Sequence, residues 1–179
     1  YIGYLGTMGL EYIDYLIADK TIIPQGDEKH FLEKIVRLPN YQSGDSRRRI
    51  SEKKFTRQEL GLPKNGIVFA AFNNNYKILP ATFAGWMNIL HKVTDSVLWV
   101  YVSNTSAVDN IKVEAIKHGI ESSRVIFAIR LPQDEHLARY SMADLFLDTF
   151  PCNGGSTVVD ALWAGLPVLT LMGESFASR

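Results

Sequence analysis

The residues best placed to do chemistry lie in one stretch, Asp144 to Leu171, which reads as a strand, a glycine-bearing loop, a helix and a second strand. Leu145 to Leu147 form an apolar run, Pro151 to Gly155 break it, and Ser156 or Thr157 is the expected cap of the helix that follows. A glycine loop feeding a helix N-terminus offers unpaired backbone N–H groups and the positive end of a dipole, which suits a phosphate. Asp160 falls one turn further, within reach of a ribose hydroxyl. The same pattern describes an ordinary strand–helix unit whose Asp160 merely favours the dipole. Two other stretches carry similar chemistry. Asn73-Asn74-Asn75-Tyr76-Lys77 places polar amides and a cation directly after an apolar strand, as an anion site or as a surface turn. Arg130-Leu131-Pro132-Gln133 precedes His136 and Arg139, whose i, i+3 spacing puts both on one helix face. Neither paired carboxylates nor Cys/His spacing argues for a metal.

These residues need a scaffold, and the chain is long enough to build one. It has 179 residues, 46% of them apolar, and a formal net charge of zero. That balance argues against general nucleic-acid or membrane-surface binding. No apolar run approaches a membrane span. The single cysteine, Cys152, rules out an internal disulfide and fits a reducing compartment, the cytoplasm. The start at Tyr1 and the stop at Arg179 suggest a piece of a longer protein.

In chain order, a helical turn is expected at Leu10 to Asp14, a strand at Tyr15 to Ala18, another helical turn at Asp27 to Glu33 and a strand at Lys34 to Leu38. Residues 39–54 are polar and basic, with Arg47-Arg48-Arg49 and Lys53-Lys54, and read as a solvated linker. Thr56 and Glu59 have capping-box spacing for a short helix ending at Gly61-Leu62-Pro63. Strands at 67–72, 97–102, 125–129, 145–147 and 168–171 then alternate with helices at 81–93, 107–118, 132–142 and after Ser156. The helix at 81–93 carries Phe83, Trp86, Met87 and Leu90 on one face, as core packing. Strands apolar on both faces alternating with helices indicate a Rossmann-like α/β domain with a parallel sheet over residues 56–179. In such sheets ligands bind beyond the carboxyl ends of the strands, so the three chemical stretches would converge on one anion-binding crevice.

The blocks Phe72-Asn-Asn-Asn-Tyr-Lys77, Leu131-Pro-Gln-Asp-Glu-His136, Leu147-Asp-Thr-Phe-Pro-Cys-Asn-Gly-Gly-Ser-Thr-Val-Val-Asp160 and Gly173-Glu-Ser-Phe-Ala-Ser-Arg179, in this order, resemble the O-linked N-acetylglucosamine transferase family, which includes the SPINDLY-type proteins. Gly3-Tyr-Leu-Gly-Thr-Met-Gly9 and Asp14-Tyr-Leu-Ile-Ala-Asp19 resemble the end of that family's first catalytic lobe. The resemblance implies the two-lobed GT-B architecture. Residues 1–50 would hold the end of the first lobe plus linker, and 51–179 the nucleotide-sugar-binding lobe, truncated at its C-terminus. The rest of the first lobe and helical TPR repeats would lie outside this chain.

It also implies roles. Lys77 would stabilise the leaving diphosphate, with Asn74 on the same group. Leu131, Pro132 and Gln133 would meet the uracil and ribose, and His136 and Arg139 would complete that pocket, the arginine against the base. Gly155, Ser156 and Thr157 would cradle the phosphates, Asp160 would hold the ribose, and Gly3 would approach the donor sugar. Three positions depart from the animal pattern: Asn74 for glutamine, Gln133 for lysine and Gly155 for histidine. The first two bear on donor affinity and identity. The implied reaction is an inverting transfer of GlcNAc from UDP-GlcNAc to Ser/Thr of proteins, with no metal or other cofactor, no nucleic-acid partner and no membrane. This piece alone would be inactive. Two alternatives stand: a protein O-fucosyltransferase or another GT-B transferase with a different donor, and a non-catalytic nucleotide- or protein-binding module.

Overall fold

Every strand of the larger unit is apolar on both faces, and its sheet is covered on both. The protein's structure, a computed structural model, describes residues 6–40 and 45–179. It divides into two compact units: residues 1–43 with 151–153 and 172–179, and residues 44–150 with 154–171.

In the smaller unit, β1 (Tyr15–Ala18) pairs in parallel with β2 (Lys34–Arg37), in register from Tyr15 opposite Lys34 to Ala18 opposite Arg37. A 3-10 turn at Asp27–His30 lies between them. Ala18 and Ile23 are buried. Leu10 to Asp14 is closed by an Ile13 N–H bond to the Leu10 carbonyl at 3.1 Å and forms a single turn.

The larger unit holds a five-stranded, all-parallel sheet in the order β5-β4-β3-β6-β7. Its strands are β3 (Ile67–Ala71), β4 (Ser96–Tyr101), β5 (Val125–Ala128), β6 (Leu145–Leu147) and β7 (Val168–Leu169). Successive residues of a strand face opposite sides. Val68, Ala70 and Phe72 therefore join Trp99, Leu137, Tyr140, Phe146 and Ala161 in one core, while Phe69 and Ala71 join Leu98, Val100 and the opposite helices in another. The α/β fold expected from the alternation is the fold observed.

Four helices supply the covering layers: α1 (Pro80–Lys92), α2 (Thr105–Lys117), α3 (Gln133–Ala138) and α4 (Ser156–Trp163). Pro80 opens α1 at its first turn, where a missing N–H costs nothing. Phe83, Trp86, Met87 and Leu90 are its buried residues, as their spacing requires. Asn104 caps α2, accepting from the Ala107 N–H at 2.8 Å. Gly165, at φ 82°, takes the left-handed conformation that ends α4. None of the described helices is long and apolar enough to cross a membrane.

Two expected helices are corrected. Thr56 and Glu59 do exchange capping-box bonds, the Glu59 N–H to Thr56 Oγ1 at 3.2 Å and the Thr56 N–H to Glu59 Oε2 at 2.7 Å. Gly61 and Pro63 follow too closely for a helix to propagate, and residues 57–61 remain turns. The helix expected over 132–142 is α-helical only to Ala138 and tightens into a 3-10 turn over Arg139–Met142.

Candidate functional site

The sheet order reverses between β4 and β6 on either side of β3, so the crevice beyond the strand ends opens there. Asn73 leaves β3 at this point and is 1% exposed. Its Nδ2 donates to Asp148 Oδ1 at 2.6 Å and to Thr149 Oγ1 at 2.9 Å, and its Oδ1 accepts the Thr157 hydroxyl. Asp148 follows β6 and gathers the loop: its Oδ1 also accepts the Thr149 N–H and the Gly154 N–H, each at 2.8 Å. Its Oδ2 accepts the Thr170 hydroxyl at 2.7 Å. One buried carboxylate thus joins the loop ends of β3, β6 and β7 to the start of α4. Buried polar groups are stable only when partnered, and this network partners them.

The network fixes the glycine loop tightly. A Cβ on Gly154 would stand 2.6 Å from Asn73 Oδ1, 2.7 Å from Thr157 Oγ1 and 2.8 Å from Val158 Cγ2. Gly155 is the N-cap of α4, and no side chain caps the helix. The expectation that Ser156 or Thr157 would cap it is corrected. Thr157 sits inside the first turn, and its hydroxyl is committed to Asn73. Gly155 and Ser156 are exposed, Thr157 is half-buried, and the α4 N-terminus keeps its dipole uncapped.

Asp160, the expected ribose ligand, is buried one turn into α4. Its Oδ1 accepts from Arg48, and its Oδ2 accepts from Gln133 Nε2 at 3.3 Å. Gln133 and Pro132 stand exposed at the start of α3, with Leu131 half-buried before them. The structure therefore brings Gln133 and Asp160 together. Residues 45–54, expected as part of a solvated linker, are mostly exposed, but three of them dock. Besides Arg48, the Ser51 N–H bonds the Asp134 carbonyl at 3.1 Å, and Lys53 pairs with Glu135 at 2.8 Å.

His136 and Arg139 also meet. Arg139 is 1% exposed, with its guanidinium 4.7 Å from the Phe72 ring centroid and 5.6 Å from that of Trp99. It donates to the Ile129 carbonyl and, at 2.6 Å, to His136 Nδ1. Because guanidinium has no acceptor, Nδ1 must be unprotonated and Nε2 carries the imidazole proton. Burial, reinforced by the Arg139 charge, lowers the His136 pKa to about 4. Burial likewise lowers Arg139 to about 10 and pushes the Tyr140 phenol up. Phe72, Tyr101, Arg130, Leu131, His136 and Arg139 line a pocket of about 180 Å³ beside these groups. A neutral imidazole, a buried cation and apolar rings suit a flat, polar-edged ligand.

Lys77 closes the 3-10 turn Asn75–Lys77 on the loop after β3, half-buried; Asn74, before that turn, is exposed. Gly3 lies outside the described residues. Among the described residues no group of three or more His, Cys, Asp or Glu is placed to hold a metal ion. The family resemblance implies no role for Asn73, Asp148, Thr149 or Arg48. The first three carried a signal, polar residues directly ending apolar strands. Arg48 carried none, because its partner is 112 positions away.

A family model described as glycosyl transferase family 41 matches residues 49–179. The chain is 36% identical over 185 residues to the probable UDP-N-acetylglucosamine–peptide N-acetylglucosaminyltransferase SEC of Arabidopsis thaliana, covering 100% of this chain and 19% of that protein. It is 39% identical over 124 residues to the UDP-N-acetylglucosamine–peptide N-acetylglucosaminyltransferase of Caenorhabditis elegans, covering 69% and 11%. A solved lysine-to-methionine variant of the Thermobaculum terrenum O-GlcNAc transferase superposes at TM-score 0.84 with 25% identity, over 100% of this chain and 34% of that one. The chain thus spans about a fifth or less of the length of these curated relatives.

Proposed function

The chain belongs to glycosyl transferase family 41, and from that membership we propose that it forms the donor-binding part of a protein O-N-acetylglucosaminyltransferase. The whole enzyme moves GlcNAc from UDP-GlcNAc to Ser/Thr hydroxyls of proteins, with inversion. The observation that carries this reading is the Asn73–Asp148–Thr157 network, which holds Gly154 and the uncapped α4 N-terminus in one rigid arrangement. An uncapped helix end is pre-organised for a diphosphate and needs no rearrangement when charge develops there.

In the reaction, the acceptor oxygen bonds to the anomeric carbon while the bond from that carbon to the diphosphate oxygen breaks. The electron pair leaves with the diphosphate. Lys77, Asn74 and the N–H groups of Gly155, Ser156 and Thr157 stabilise that charge, without a metal. Asp160 and Gln133 take the ribose, and Leu131, Pro132, His136 and Arg139 take the base. The acceptor hydroxyl loses its proton to a group outside this chain. The remainder of the first lobe and TPR repeats complete the protein, which works in the cytoplasm. Its partners are a UDP-sugar and acceptor proteins.

Calorimetric titration of the full-length protein with UDP and GDP, alongside a transfer assay, tests this. UDP is expected to bind and GDP to bind far more weakly. Lys77→Ala should lower turnover by about 10²-fold or more, as for other lost leaving-group donors. Tight GDP binding without UDP binding would overturn the uridine reading. Full activity in Lys77→Ala would remove Lys77 from the site.

A further inference from the structure

The proposed donor site leaves one buried interaction unused: the ion pair between Arg48 and Asp160. The side chains are 20% and 9% exposed, so it is not a surface pair. A carboxylate this deeply buried requires a partner for its charge. Gln133 supplies one neutral donor to Oδ2 at 3.3 Å. The charge is balanced by Arg48, delivered by a segment docked independently through the Ser51 N–H on the Asp134 carbonyl and through Lys53 on Glu135. Two donors, one on each oxygen, fix the rotation of the carboxylate. Each oxygen keeps lone-pair capacity for a further donor.

We propose that Arg48 is a positioning residue for nucleotide recognition, orienting the Asp160 carboxylate so that its remaining lone pairs receive a ribose hydroxyl. The inference rests on the reading of Asp160 as the ribose ligand. Arg48 bonds Asp160, the ribose ligand of that reading, so it acts on which nucleotide is held and not on the chemical step. The pair also cancels the negative charge that Asp160 would otherwise present to an incoming diphosphate.

The test uses the full-length protein and three ligands: UDP, 2′-deoxy-UDP and 3′-deoxy-UDP. Wild type is expected to prefer UDP over at least one deoxy analogue. In Arg48→Gln that preference should fall about tenfold or more, the worth of one charge-assisted hydrogen bond. Arg48→Lys should restore part of it, and KM for the donor should rise while kcat holds. Each readout is a ratio of dissociation constants from one preparation, so a lowered folded fraction cancels. Lys53→Ala, which removes an anchor of the same segment without touching Asp160, should keep the wild-type ratio. An unchanged ratio in Arg48→Gln, a collapsed ratio in Lys53→Ala, or an Arg48→Gln protein that binds none of the three ligands would each overturn the inference. If wild type itself binds UDP without any such preference, the ribose reading of Asp160 falls instead. If it binds no UDP at all, the donor reading falls.

Discussion

Asn73→Asp changes one atom of the loop network and reverses one interaction. The new oxygen takes the place of Nδ2, which lies 2.6 Å from Asp148 Oδ1. The contact with Thr157 survives, because a carboxylate oxygen accepts its hydroxyl as the amide oxygen does, while Thr149 must turn its hydroxyl to donate where it now accepts. Only the contact with Asp148 turns from attraction to repulsion. Two unit charges 2.6 Å apart repel by about 6 kcal/mol at an effective dielectric constant of about 20. Retaining a proton at pH 7 on a carboxyl of ordinary pKa near 3.9 costs less, about 4 kcal/mol at about 1.4 kcal/mol per unit. The folded variant therefore takes up a proton that the pair shares. A carboxyl pKa raised by folding gives stability that is complete below the unfolded value and lost as pH rises. The variant should fall short of wild type by about 4 kcal/mol near pH 7 and approach it near pH 4. Urea unfolding of both proteins at pH 4.5, 6 and 7.5 reads the difference, and His136, present in both, cancels. Hydrogen exchange across residues 148–157 should report the same trend locally. A deficit below about 1 kcal/mol at pH 7.5, or one equal at all three pH values, would refute the view that this network is closed to water.

Two further predictions concern the same crevice. Gly154→Ala forces a methyl within 2.6–2.8 Å of three atoms, which should cost about 1–3 kcal/mol in thermal unfolding and weaken UDP binding. A neutral stability effect there would mean that the loop gives way freely. His136, with its folded pKa lowered to about 4, resists the proton that the unfolded chain accepts below about 6.5. Its contribution is complete above pH 6.5 and is lost as pH falls toward 4, by about 3 kcal/mol in all. His136→Gln should flatten that part of the pH profile, and an unchanged profile would place the titration elsewhere.

The scaffold was legible because burial on both faces leaves a plain mark in sequence. Val97 to Val100 could only be a covered strand, and Phe83, Trp86, Met87 and Leu90 could only be one inward stripe. The parts that misled were local signals with more than one outlet. A capping box starts a helix only if the next residues can propagate it, and Gly61 and Pro63 forbid that. Thr157 could cap α4 or bond Asn73, and the geometry of the crevice chose the second. The site was half legible. Gln133, His136, Arg139 and Asp160 stood out by type and position, and the structure pairs them. Arg48 did not, because a run of three arginines looks the same whether it meets solvent or a buried carboxylate.

The sheet order has a kinetic side. Val68 and Asp144, which join β3 to β6, are 76 positions apart, and α1, β4, α2, β5 and α3 lie between them. β3 and β4 pair across a single helix and can form early, as local contacts do. Closing the far longer loop to β6 carries a larger entropy cost, which is repaid only after the intervening elements are in place. The half of the sheet that carries Asp148 and the glycine loop should therefore assemble last. During synthesis or refolding, ligand-binding capacity would lag behind secondary structure. A nucleotide present at that stage would act on the final docking step alone.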